Sequence, residues 1–166
     1  ACLEASPTAH QWRALRIAAI EAGDERMDYF TKPEPEASLD GLAVRWGPQH
    51  KQPTAEACRD ACVNHVPGPP LGGPFAKLPC NVWVWCPEEI CFEPDAHKHT
   101  FGDCWLKFSE APHSPEVNQR ATMPDAYRKR HSAGAPLVTQ WYSGIVVPAA
   151  LEPSVNNGTW GPRASW

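Results

Sequence analysis

The chain has 166 residues, a size that suits one domain with appendages or two very small ones. Its 19 Pro and 11 Gly argue against a long helical bundle and against a densely regular α/β sheet. With 15 Lys and Arg against 19 Asp and Glu, it lacks the clustered cations of a phosphate-backbone binder, so no nucleic-acid partner is expected.

In chain order, the first expected element is a helix over 8–21. Thr8 reads as its N-cap and Gln11, three residues on, completes a capping box. Trp12, Leu15, Ala19 and Ala22 recur at helical spacing, Ile17 and Ile20 widen the apolar stripe, and Gly23 stops it. So broad a stripe suits a position covered by the rest of the fold or by a partner. Residues 24–38 are charged, carry Pro33 and Pro35, and read as a linker with a short extended piece around 29–31.

A strand is expected over 39–46, with Leu42, Val44 and Trp46 on one side and Gly47-Pro48 ending it. The second helix, 54–66, is entered through Pro53 and capped by Thr54. Cys58 and Cys62 share one of its faces, one turn apart. Residues 67–79 are too rich in Pro and Gly for a packed element. The strongest strand pattern runs over 80–86. Period two places Cys80, Val82, Val84 and Cys86 on one side, with Asn81, Trp83 and Trp85 on the other, as in a central strand covered on both faces.

A charged loop over 87–103 holds Cys91, and a strand over 104–108 follows. Residues 109–136 read as polar connection with one helical turn near 125–129. The basic cluster Arg128-Lys129-Arg130-His131 there reads as a solvated helix end. A late strand over 140–147 carries a bulge or a close approach at Gly144. The tail, 148–166, reads as coil with Trp160 and Trp166 and the sequon Asn157-Gly158-Thr159, a glycosylation site if the protein is a secreted glycoprotein. The expected organisation is a helix and linker (1–38), a central domain (39–147) and an extended tail (148–166). No apolar run approaches the 18 or so residues of a membrane span.

Six of the seven cysteines lie between Cys58 and Cys104. That density points to an oxidising setting, outside the cell, at its surface or in a lumen. Positions 58 and 62 are about 6 Å apart along a helix axis. A disulfide needs Cα atoms within about 7 Å. Cys58 and Cys62 should therefore reach two different sheet cysteines rather than each other. Cys86 and Cys91 suit a small local loop, with Pro87 turning the chain. The full pairing stays open on arithmetic alone, and Cys2 is left free or bonded to another chain.

At this point the segment from Thr54 to Phe108 resembles the PAN/apple domain family. The carriers are the helical Cys58-x-x-x-Cys62, the strand Cys80-Asn81-Val82-Trp83-Val84-Trp85 and the later Cys104-Trp105-Leu106-Lys107. The closing Gln140-Trp141-Tyr142-Ser143-Gly144 is similar to the ending of some plant and algal members. The resemblance implies a disulfide-stapled α+β fold, a curved antiparallel sheet cradling one helix. It also implies the pairs Cys62–Cys80 and Cys58–Cys104, with Cys86–Cys91 as an extra bond. The further disulfide that ties the two ends of the longer apple type has no counterpart here, and the loops 67–79 and 109–136 are long for the module.

Chemistry-bearing residues were weighed in turn. Cys86, Cys91, His97 and His99 make a conceivable zinc set, but the spacing and the helix–sheet cysteines favour disulfides, and no metal or other cofactor is expected. Cys104 beside Asp103 is spoken for if disulfide-bonded, and Ser143-Gly144 lacks the setting of a nucleophile elbow. Glu88 and Glu89 read as a solvated patch. The chain is therefore not expected to be an enzyme. Trp83, Trp85, Trp105 and Trp141 are the candidate ligand-binding residues, as flat surfaces for a glycan ring or a protein partner. The resemblance implies a non-catalytic module for protein or carbohydrate binding. The alternative is a structural subunit of a larger multi-subunit assembly, held by the first helix and the Trp-bearing tail.

Overall fold

The computed structural model describes residues 6–11, 14, 18, 29–30, 33–68, 73–131 and 134–148. Among them the chain is α+β, with short antiparallel strands, few helices and three disulfides. The strands are β1 (Tyr29–Phe30), β2 (Ala37–Leu39), β3 (Leu42–Arg45), β4 (Val82–Trp85), β5 (Ile90–Cys91), β6 (His99–Thr100), β7 (Cys104–Phe108), β8 (Val117–Arg120), β9 (Tyr142–Ile145) and β10 (Val147–Pro148). Helix α1 spans Ala55–Val63 and α2 spans Asp125–Arg130.

The main sheet runs β3-β7-β4-β9 and is antiparallel throughout. Smaller pairs, β1 with β10, β2 with β8 and β5 with β6, flank it. The strand expected over 39–46 is divided at Asp40-Gly41. Ala37–Leu39 pairs with β8, while Leu42–Arg45 pairs with β7. The Asp40 carboxylate accepts the Gly41 N–H at 2.7 Å, a local turn that lets the chain change sheets. Strand β8 was not foreseen, because Val-Asn-Gln-Arg alternates poorly and sits in a Pro-rich stretch. The segments treated as linker and tail join the folded unit, since β1 pairs β10 and Glu34 bridges Ser143. Expected boundaries at 38/39 and 147/148 thus fall inside β2 and β10.

Helix α1 begins as its sequence implies: the Thr54 side chain accepts the Ala57 N–H at 3.1 Å. It ends at Val63, earlier than Val66, because Asn64 caps it, its backbone and side-chain N–H groups both reaching the Asp60 carbonyl at 2.9 Å. The helix lies across β4, β7 and β9. Two bonds staple it there, Cys58 to Cys104 on β7 and Cys62 to Cys80 just before β4. Cys86 and Cys91 close a third, local loop.

Residues 7–11, 14 and 18 are helical. Ser6, not Thr8, caps this first helix: its hydroxyl accepts the Ala9 N–H at 3.0 Å, with Pro7 in the first turn. Thr8 instead donates to the Glu110 carbonyl at 2.9 Å, and Ala9 is fully buried in the helix-side core. The stripe residues Trp12, Leu15, Ile17, Ala19, Ile20 and Ala22 lie outside the described residues.

Register decides which side chains share a face. In β4 and β7, Trp83 lies opposite Leu106 and Trp85 opposite Cys104, so these four face α1. Val82 opposite Lys107 and Val84 opposite Trp105 point the other way. The expectation that Trp83 and Trp85 oppose all the cysteines is corrected here. Regular pairing starts only at Val82, so alternation does not extend back to Cys80, which joins the helix-side core with Trp83. Asn81 is diverted to Ser109, donating to its carbonyl at 2.8 Å and accepting its N–H at 2.7 Å.

Candidate functional site

The four candidate tryptophans have different fates. Trp83 is 0 % exposed, beneath α1, and Trp85 is 8 % exposed with its indole N–H donating to the Gln52 carbonyl at 2.9 Å. Both are taken up by packing and present no open ring face, which corrects their reading as ligand surfaces. The cause is the register just described. Gly144 sits directly across from Trp83, and its missing side chain leaves the gap that the Trp83 indole fills. Gly144 is therefore a close approach. Trp105 and Trp141, by contrast, lie toward the second face of the sheet, and both line a cavity there.

That cavity, about 180 Å³, is floored by Val84 on β4 and by Trp105 and Lys107 on β7. Its walls come from Ser38 and Asp40 beside β2, Asn118 on β8, Trp141 before β9, and Glu93, Asp95 and His99 around the β5–β6 connection. A larger open groove of about 760 Å³ adjoins it, sharing Glu93, Asp95 and His99 and rimmed by Lys98, Arg130 and His131. The connection is fixed at its base by Cys86–Cys91 and by a tight turn at 100–103, where Gly102 adopts φ +87.

His99 organises this corner. Its ring lies edge-on to Trp105 and Trp141, with centroids 5.7 and 5.5 Å away. Nε2 lies 3.1 Å from both Asp95 carboxylate oxygens, and Nδ1 lies 3.5 Å from Asp103. Asp103 is fully buried and pairs with Lys51, whose ammonium also donates to the Thr100 hydroxyl at 2.8 Å. The Trp141 indole N–H donates to the Phe92 carbonyl at 2.8 Å, locking its plane.

Glu93 is the central polar group. One carboxylate oxygen accepts from Asn118 Nδ2 at 2.5 Å and the other from Gln119 Nε2 at 3.1 Å. Burial pushes its carboxyl above the usual range, with the Asn118 hydrogen bond opposing that shift in part. Burial likewise pushes the nearby Tyr127 hydroxyl up to about 12, helped by the Glu93 charge. Lys107 Nζ donates to the Leu39 carbonyl at 2.8 Å, which positions one ammonium in the wall.

Other sequence-stressed residues lie elsewhere. Cys86 and Cys91 are bonded to each other, and His97 is exposed. The Ser143 hydroxyl donates to the Ala37 carbonyl at 2.6 Å and accepts the Leu39 N–H at 3.1 Å, which makes it a strut between β2 and β9. Glu88 and Glu89 are exposed. Cys2, Asn157, Trp160 and Trp166 lie outside the described residues. Glu93, Asp95, Lys107 and Asn118 were missed as site residues. Nothing in their local patterns marks them, because four separate segments bring them together.

Tested against protein-family models, curated proteins and solved structures, the chain matches none. Among the described residues, no helix is long and apolar enough to cross a membrane.

Proposed function

We propose that this chain is a non-catalytic module of the PAN/apple type, placed outside the cell or in an oxidising lumen, that binds a protein or a carbohydrate. The observation that carries the reading is the cavity on the second sheet face. There Trp105 and Trp141 supply aromatic walls, while Glu93, Asp95 and Asn118 supply a few placed polar groups. The three disulfides support the oxidising setting. The two bonds from α1 to the sheet are the ones the family resemblance implies.

The test is a titration of the whole chain with panels of glycosides and short peptides, read at the Trp105 indole resonance. Saturable change that is lost in Trp105→Ala and weakened in Asp95→Asn, but kept in Trp46→Ala, fits the reading. Binding that maps beneath α1, or ignores both cavity substitutions, overturns it. A second reading, a structural subunit of a larger assembly, draws on exposed apolar side chains: Trp46 at 45 %, Phe101 at 51 % and Val66 at 69 % exposure. A chain that self-associates until Trp46 and Phe101 are changed to polar residues would favour it.

A further inference from the structure

We propose that the cavity takes one basic side chain, lysine or arginine, presented by a protein partner. This rests on the reading of the second sheet face as a binding site and narrows it to one ligand chemistry. Three carboxylates line the cavity, Asp40, Glu93 and Asp95, against one ammonium, Lys107. The indoles of Trp105 and Trp141 complete the wall, and a cation over an indole face is attracted by the ring quadrupole.

Glu93 gives the arrangement its direction. Its two oxygens are held by the neutral amides of Asn118 and Gln119, and among the described residues it forms no ion pair. A buried carboxylate held only by amides leaves its charge uncompensated, and an incoming ammonium or guanidinium supplies the missing partner.

Size agrees. Pockets for drug-sized ligands start at about 300 Å³. A cavity of about 180 Å³ suits a single anchoring side chain. The adjoining groove of about 760 Å³ gives room for the flanking residues of the partner. Lys98 and Arg130 on its rim disfavour a second basic residue beside the first, so the anchor is flanked by neutral or acidic residues.

The experiment titrates the whole chain with Nα-acetyl-lysine methylamide and Nα-acetyl-arginine methylamide. Nα-acetyl-norleucine methylamide and methyl glucoside serve as neutral probes, and the Trp105 and Trp141 indole N–H resonances are the readout. The expected result is a saturable shift with a basic probe, with a dissociation constant on the order of a millimolar. It weakens at least about tenfold in Glu93→Gln and in Asp95→Asn, with no response to norleucine. An equal response to norleucine, or no saturable response to either basic probe, overturns the proposal. If methyl glucoside alone saturates the site, the cationic ligand is wrong and the binding-module reading stands. If all four probes leave both resonances unmoved, both fail.

Discussion

The sheet face beneath α1 carries Trp83, Trp85, Cys104, Leu106 and Phe108, each at most 8 % exposed, and two disulfides cross from the helix to it or its border. The opposite face carries Val84, Trp105 and Lys107 and meets Glu93, Asn118 and Gln119. One face is held by apolar contact and covalent bonds, the other by hydrogen bonds among groups that burial makes costly. The contrast shows how a small chain divides its tasks. A stapled side secures the fold, so the other side can hold a polar cavity that contributes little to stability.

The largest test of that division removes the staples one at a time. Chain-entropy arguments scale each bond with the loop it closes, here 46, 18 and 5 residues of separation. Replacing Cys58 and Cys104 by Ala should cost about 4 kcal/mol, Cys62 and Cys80 about 3 kcal/mol, and Cys86 and Cys91 about 2 kcal/mol in urea unfolding. If the local Cys86–Cys91 pair costs the most, the helix face is not the main anchor.

Next come two glycine substitutions that place the same added methyl group on opposite faces. A Cβ at Gly144 would lie 2.5 Å from the Trp83 indole, which is fully buried and has nowhere to go. Gly144→Ala should cost about 2–3 kcal/mol. A Cβ at Gly47 would lie 2.3 Å from Trp105, whose ring borders the cavity and can move into it. Gly47→Ala should cost about 1 kcal/mol and shift the Trp105 resonance. Equal costs would mean that both faces are packed alike.

A pH series separates the faces further. Glu93 is raised by burial, and the charged or titrating groups facing it are Lys107 from β7, His99 from β6, Asp95 of the loop and Tyr127 of α2. With its folded pKa above the unfolded one, its stability contribution is complete below the ordinary Glu range and is lost as pH rises through the folded value. Thermal melts should therefore show Glu93→Gln gaining on the parent chain as pH increases. His50, hydrogen-bonded to the Cys104 carbonyl at 3.0 Å, is lowered by burial. Its contribution is lost as pH falls from about 6.5 through the folded value, and His50→Gln should blunt that acid loss. The smallest expected effect is at Asp125, which is 3.9 Å from Arg128 on the exposed side of α2. Asp125→Asn should change stability by less than about 0.5 kcal/mol in the same melts.

The stapled face was the more legible of the two in the sequence. Cys58 and Cys62 at helical spacing, the Thr54 cap and the β-prone Val82–Trp85 run are local signals, and local signals survive into this fold. The face assignment of Trp83 and Trp85 was not legible, because it depends on where pairing begins, a matter of register set by Asn81 and Ser109. The polar cavity was illegible for a related reason. Glu93, Lys107 and Asn118 sit in three segments joined only by tertiary pairing, and β8 carries no alternation to announce it. Trp105 and Trp141 were found, since an indole is conspicuous in any setting, but their polar neighbours were not.

The short bond between Cys86 and Cys91, together with the pairing of β5 and β6, pins both ends of the segment that carries Glu93 and Asp95. Seven residues, 92–98, are thereby hung from a frame that does not pass through the helix-side core. Such a segment is an exchangeable cassette. Substitutions, or even length changes, between Cys91 and His99 can redesign what the cavity recognises while the scaffold beneath stays untouched.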